Sequence, residues 1–428
     1  MSKKPKPLIL LAAALAVALL GLLFIRNQID FPVYYSAGQS LLAGRVDLYA
    51  PDFALGQVMD YRYPPFFLIL FLPLWLLPYS TAAYIWYLLS ALAIAGIVML
   101  IRAEIAPARL TKLLLAACVL VIAQYFVMAL HYGNAHLLAI FFLFAAFYFE
   151  NRDRSWHSAL LLSISITIKL TPVILLPYLA IKRRWRMLSA CALFVLLLNL
   201  APALYFGFRE NSRLLQTWYN HVIANQEFHE ANGPINLSLK GMLRRYFTEV
   251  DYNQRVDGDV EYRAINLATL SSDQTDVAWM AISASLLIAA LAFIIWRRRN
   301  SETESRLHAL ELGLMICLML LIGPLTSKIY FIALIWPVLS LAGFASMNRS
   351  AAATFALRVI YSIALVNSVL PLLPGRSTQR LLLVLGVDCL ATCLMALALV
   401  FAIYRSRMAP RASYDEAQIQ SLPAARTT

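Results

Sequence analysis

Long apolar runs separated by short polar and basic stretches set the pattern along the chain. They occupy residues 8–25, 64–78, 82–101, 113–130, 137–149, 158–181, 187–206, 277–296, 307–323, 329–345, 352–372 and 381–404. Roughly 20 apolar residues in a helix span a bilayer, so the pattern predicts an all-α polytopic membrane protein of about 12 transmembrane helices. Two runs leave the topology open. Residues 64–78 are few and have proline at both ends, and residues 158–181 are interrupted by Lys169-Leu170-Thr171-Pro172. If the first only dips into the outer leaflet and the second is a hairpin, every short basic loop lies inside, as the positive-inside rule requires. We adopt that arrangement. Each half of the hairpin is then too short to face lipid and must border a cavity or be sheltered by neighbouring helices.

The same arrangement gathers the polar clusters on the outer side: Asp30 and its loop, residues 131–136, the Lys169 turn, the stretch 207–276 and residues 324–328. The first run follows Lys-Lys-Pro-Lys-Pro and leads straight into Arg26-Asn27-Gln28 without a small-residue cleavage site. It reads as a retained signal anchor with its N-terminus in the cytoplasm. We find no internal repeat. One transmembrane domain is expected over residues 1–404, with outer loops over about 26–80 and 207–276. A polar tail over 405–428 is expected to be disordered and cytoplasmic.

Composition agrees, with 61% hydrophobic and 14% charged residues among 428. The formal net charge of +13 raises the question of nucleic acid, but Lys and Arg gather at the ends of apolar runs, as at residues 182–186 and 297–299. That is a topological signature, and no nucleic-acid partner is expected. Cys118, Cys191, Cys317, Cys389 and Cys393 all fall in apolar runs, where they read as small packing residues rather than disulfides or metal ligands. No metal and no cofactor is expected; the acidic stretch 251–261 reads as a solvated loop, with a cation-binding loop as the alternative.

Candidate chemistry concentrates after the first run, in DFPVYYSAGQSLLAGRVDLYAP from Asp30 and then DYRYPPF. A carboxylate at a lipid boundary suits a base that takes a proton from an attacking hydroxyl; a solvated boundary residue is the alternative. Asp47 and Asp52 read as turn residues. Lys169, flanked by apolar runs, must pair, face a polar cavity or snorkel, and Lys328 stands in a similar turn. Arg62 precedes a Tyr-Pro-Pro turn, and its fork fits a phosphate; Arg244 and Arg245 could do the same or belong to a solvated amphipathic helix. His131 and His136 bracket a Gly-Asn turn and suit hydrogen bonds to sugar hydroxyls better than a metal. Tyr34, Tyr35, Tyr61, Tyr63, Trp75, Trp86 and Tyr87 are expected mostly as interfacial belt residues, one or two of them stacking on a sugar.

In order along the chain, Asp30, Tyr34, Ala37, Gly44 and Tyr49, then Tyr63-Pro64-Pro65, resemble the membrane glycosyltransferases of family 87, polyprenol-phosphate-sugar-dependent enzymes of the GT-C superfamily. Gly133-Asn134-Ala135-His136 is similar to that family's Gly-Gln-x-Asn turn. Asn236-Leu237-Ser238-Leu239 with Gly241 and Arg245 is similar to its Asn-Gln-Ser-Leu-x-Gly…Arg segment, and Pro324-Leu325-Thr326 to its Ser-Pro-x-Ser turn. Gly323 stands for that serine, Leu237 for the glutamine, and Lys328-Ile329-Tyr330 where members often carry histidines.

The resemblance implies a GT-C-type helical bundle in a bacterial cytoplasmic membrane, with the active site on its outer face. It implies inverting transfer of one sugar, mannose or a similar hexose or pentose. The donor would be a polyprenyl-phosphate sugar and the acceptor a glycolipid or polysaccharide. Asp30 would be the base. Arg62, Lys169, Lys328, Arg245, Asn134, His131, His136, Asn236, Tyr34 and Tyr63 would contact the donor's phosphate or sugar. Two rivals remain: a transporter or flippase of lipid-linked sugars, and an oligosaccharide polymerase or ligase drawing on His221 or His229 of the long outer stretch.

Overall fold

A computed structural model of the chain describes residues 7–50, 61–105, 110–224, 233–249, 265–298, 304–369 and 376–406. Asp52, His229, the stretch 251–261 and the tail from residue 407 lie outside the described residues. Every regular element among the described residues is helical. The first half comprises α1 (Pro7–Phe24), α2 (Asp30–Leu42), α3 (Pro65–Trp75), α4 (Tyr79–Glu104), α5 (Lys112–Tyr132), α6 (His136–Glu150), α7 (Ser155–Ile168), α8 (Leu176–Ile181) and α9 (Trp185–Leu200). The second comprises α10 (Phe208–Trp218), α11 (Leu239–Phe247), α12 (Ser272–Arg298), α13 (Glu304–Ile322), α14 (Ile335–Met347), α15 (Ala351–Val369), α16 (Arg376–Leu385) and α17 (Val387–Arg405).

Among the described residues, seven helices are long and apolar enough to cross a membrane. That is fewer than the apolar runs of the sequence, because four runs give apolar helices of 10–17 residues and residues 158–181 divide into two such pieces. Residues 381–404 also break, at Gly386 with a left-handed φ of 67° between α16 and α17, but α17 remains long enough to span.

The loop expected after Asp30 is instead a helix. Phe31, Tyr34, Ala37 and Leu41 recur at helical spacing and are buried, and Pro32 falls in the first turn, where no backbone donor is needed. Asp30 in that turn also complements the helix dipole. α3 lies along α2 and does not leave its layer. Tyr34 meets Phe67 near one end of α3, while Gln39 donates to the Trp75 carbonyl at the other. Gly38 faces the Trp75 indole so closely that a Cβ there would stand 2.2 Å from ring atoms.

The aromatics are correspondingly not a belt. Tyr34, Tyr61, Trp75, Trp86 and Tyr87 are all buried, and rings of α2, α3 and α4 interlock, with Tyr34 edge-on to Phe67, Phe71 and Trp86. Such rings bury most of the apolar surface of this layer.

Residues 155–181 double back at Lys169. Lys169 is extended (φ −146°, ψ 120°) and ends α7; a 3-10 turn over Thr171–Leu175 then leads into α8. Both ends of the hairpin are tied on one side of the bundle. Arg184 pairs with Glu150 at 3.1 Å and Lys182 with Glu311 at 2.5 Å, and Tyr178 donates its hydroxyl toward Glu311 (3.3 Å). Arg152 pairs with Glu104 on that same side. The short halves are sheltered by α6, α9 and α13 rather than lipid, as such segments require. The hairpin tip points to the opposite side, where Asp30 lies.

Candidate active site

The end of α5 and its contacts bring that side together. α5 is capped at its start by the Thr111 hydroxyl, which accepts from Leu114 N–H, and at its end by Gly133 in the left-handed region (φ 65°). The Ile29 N–H donates to the Tyr132 carbonyl (3.2 Å), and the Trp86 indole N–H to the Gly133 carbonyl (2.7 Å). The start of α2 is thereby pinned against the turn between α5 and α6.

Asn134 bridges the two. Its Nδ2 donates to Asp30 Oδ2 at 2.8 Å, and its Oδ1 accepts the His136 N–H at 2.7 Å. Beside it, the Tyr34 and Tyr63 hydroxyls are 2.8 Å apart, and the Ala135 N–H donates to Tyr34 at 3.4 Å. Burial, foremost, pushes the Tyr63 phenol up to about 12 and that of Tyr34 well above its ordinary value, so both remain hydrogen-bond donors at neutral pH.

Asp30, Tyr34, Arg62, Tyr63, Asn134, Lys169 and Lys328 line one cavity of about 1070 Å³. Its charged wall groups are the Asp30 carboxylate and the cations of Arg62, Lys169 and Lys328, an excess of positive charge suited to a phosphate. Lys169 Nζ lies 5.3 Å from the Tyr63 ring centroid and 4.6 Å from that of Tyr330. Away from this polar end the wall is apolar, formed by Ile174, Leu176, Pro177, Leu287, Met319 and Ile322 from the descending half of the hairpin, α12 and α13. One end can hold a charged headgroup and the other an alkyl or isoprenoid chain.

The remaining expected residues stand elsewhere. His131 is exposed and outside the cavity wall, set edge-on against Tyr132. His136 is buried behind the wall, stacked on Tyr330; neither histidine is part of the cavity wall. Asn236 fixes neighbouring backbone, its Oδ1 accepting from Ser238 and Thr326 N–H and its Nδ2 donating to the Pro324 carbonyl. Arg245 is turned away from the cavity and fully buried, donating to the carbonyls of Val384 (2.8 Å) and Asn236 (2.6 Å). The physical reason is that its fork satisfies carbonyls of an irregular buried turn, which would be costly to leave unpaired. Arg244 forms a two-bond pair with Asp276 (3.1 and 2.8 Å).

Several wall residues were not singled out from the sequence: Tyr330, Trp218, Trp279 and Thr171. Trp218, whose indole donates to the Arg62 carbonyl at 3.2 Å, ends an amphipathic helix far from Arg62 in sequence. The signal for Tyr330 was present, two residues after Lys328.

Among known proteins, the profile of the family described as Glycosyltransferase family 87 matches residues 61–324. A polyprenol-phosphate-mannose-dependent alpha-(1-2)-phosphatidylinositol pentamannoside mannosyltransferase of Mycolicibacterium smegmatis is 29% identical over 174 residues, 39% of this chain and 40% of that protein. The protein of the same description from Mycobacterium tuberculosis is 30% identical over 169 residues, 37% of each chain. The similarity thus spans about two fifths of the curated relatives' length. The crystal structure of ArnT from Cupriavidus metallidurans bound to undecaprenyl phosphate aligns over 97% of this chain and 80% of that one, at 17% identity and a TM-score of 0.39. With the family profile matching more than half of its length, the chain belongs to glycosyltransferase family 87.

Proposed function

We propose that the protein transfers a single sugar, mannose or a similar hexose or pentose, from a polyprenyl-phosphate-sugar donor to a glycolipid or polysaccharide acceptor. It does so on the outer face of a bacterial cytoplasmic membrane. The observation that carries this reading is the cavity itself: a carboxylate held by Asn134, three cations and an apolar wall within one space. The curated relatives, named as polyprenol-phosphate-mannose-dependent mannosyltransferases, support the choice of donor.

The charges balance through the step. The acceptor hydroxyl oxygen attacks the anomeric carbon from the face opposite the phosphate, inverting that centre, and Asp30 takes its proton. The bond from the anomeric carbon to phosphate oxygen breaks, and polyprenyl phosphate leaves with one more negative charge than the diester carried. Lys169, Lys328 and Arg62 stabilise that growing charge, most strongly in the transition state. Tyr34 and Tyr63 are kept protonated; one hydroxyl donates to the other, which leaves the pair one proton to give to a sugar or phosphate oxygen.

Purified protein in liposomes, given a polyprenyl-phosphate mannose and an envelope lipid extract, should release polyprenyl phosphate and label the extract. Asp30→Asn should lower the rate by on the order of 10² to 10⁴ while leaving donor binding and the yield of folded protein near normal. Asp47→Asn, outside the cavity wall, should stay active. Full activity in Asp30→Asn would move the base to another group.

A further inference from the structure

The turn over residues 133–136 contacts groups beside both the carboxylate and the lysine of the cavity's polar end. Asn134 holds Asp30, and the Ala135 N–H holds Tyr34, whose hydroxyl meets that of Tyr63. The His136 ring lies flat on Tyr330, with centroids 4.2 Å apart and planes 18° apart. Tyr63 and Tyr330 are the two rings on which the Lys169 ammonium rests. His136 is 1% exposed and absent from the cavity wall, so it acts on a substrate only through its neighbours.

We propose that His136 is a positioning residue: by backing the Tyr330 ring it fixes the Lys169 ammonium in the cavity, and the 133–136 turn thereby sets the spacing between carboxylate and cation. A lysine side chain has four rotatable bonds and a strongly hydrated head, so unaided it samples many positions. Two ring faces restrict it, and a cation over an aromatic face gains roughly 2- to 30-fold in occupancy. Tyr330 can serve only while its own ring is held, and the stacked imidazole holds it. This inference rests on the reading that Lys169 meets the phosphate of a polyprenyl phosphate.

The test measures undecaprenyl phosphate binding and steady-state transfer by the full chain in liposomes. His136→Ala should weaken binding roughly tenfold and lower kcat/KM for the donor to match, with the acceptor KM unchanged. His136→Phe keeps a flat ring behind Tyr330 and should restore both. The double variant His136→Ala with Lys169→Met should bind no more weakly than Lys169→Met alone, because the histidine acts through the lysine. A His136→Phe protein as weak as His136→Ala, or additive losses in the double variant, would overturn the positioning role. So would wild-type protein that does not bind undecaprenyl phosphate. Binding that depends on His136 in a wild-type protein that transfers no sugar would support the positioning role and sink the transfer reading.

Discussion

Asn134 spends both ends of its amide inside the protein, one on Asp30 and one on the His136 N–H, so its geometry is fixed before any substrate arrives. Asn134→Ala should therefore lower the transfer rate by roughly 10- to 100-fold through misplacement of the carboxylate, with donor binding retained. The comparison of kcat with donor affinity checks it. Tyr63 supplies a pH prediction. Its phenol is raised from 10.0 to about 12, burial being the main cause, so the folded protein holds that proton more tightly than the unfolded chain. Its contribution to stability is full below pH 10 and is lost as pH rises through about 12. In an ultraviolet tyrosinate titration, Tyr63→Phe should remove absorbance that develops only in that last window. Asp30 and Lys169 were legible in the sequence because a charge beside apolar runs demands a reason. The setting of Arg245 was not legible, since its partners, the carbonyls of Val384 and Asn236, become neighbours only in the folded bundle.

Between elements, the α2–α3 contact depends on the absence of a side chain at Gly38. Gly38→Ala would drive a methyl into the Trp75 indole, and such overpacking costs roughly 1–3 kcal/mol. Thermal unfolding in detergent should show the loss, and the cavity wall at Tyr34 and Tyr63 should lose donor binding with it. On the other side of the bundle, Glu311 is wholly buried and answers Lys182. Glu311→Leu removes one partner only, and a destabilisation of about 2 kcal/mol or more is expected, smaller if Lys182 reaches water. α2 was misread as a loop because aromatic, glycine and serine residues crowd it; its helical spacing of Phe31, Tyr34, Ala37 and Leu41 outweighs that composition once α3 and α4 cover one face. The hairpin, by contrast, was legible from the interruption at Lys169-Leu170-Thr171-Pro172 taken together with the placement of the basic loops.

For the whole molecule, the basic loops predict that the cavity opens on the outer side, and thiol labelling can read it. The native cysteines are buried except Cys393, which is partly so, so the background should be low. His131→Cys, exposed near the cavity, should react with an impermeant reagent from outside intact cells, and Ser155→Cys should not; the reverse would place the cavity in the cytoplasm. The order of apolar runs was readable because burial in lipid needs only hydrophobicity. The number of independent spans was not, because a run can break where a glycine, a proline or an ordered polar residue finds support from segments distant in sequence. The hairpin carries a consequence for biosynthesis. Residues 155–181 leave the ribosome long before α13 exists, yet Lys182 pairs with a carboxylate of α13, and neither half of the hairpin is long enough to rest in lipid alone. α6 and α9 can shelter the ascending half early, but the Lys182 end is expected to reach its final packing only once α13 has been made, which would make the apolar wall shared with α13 a late part of the cavity.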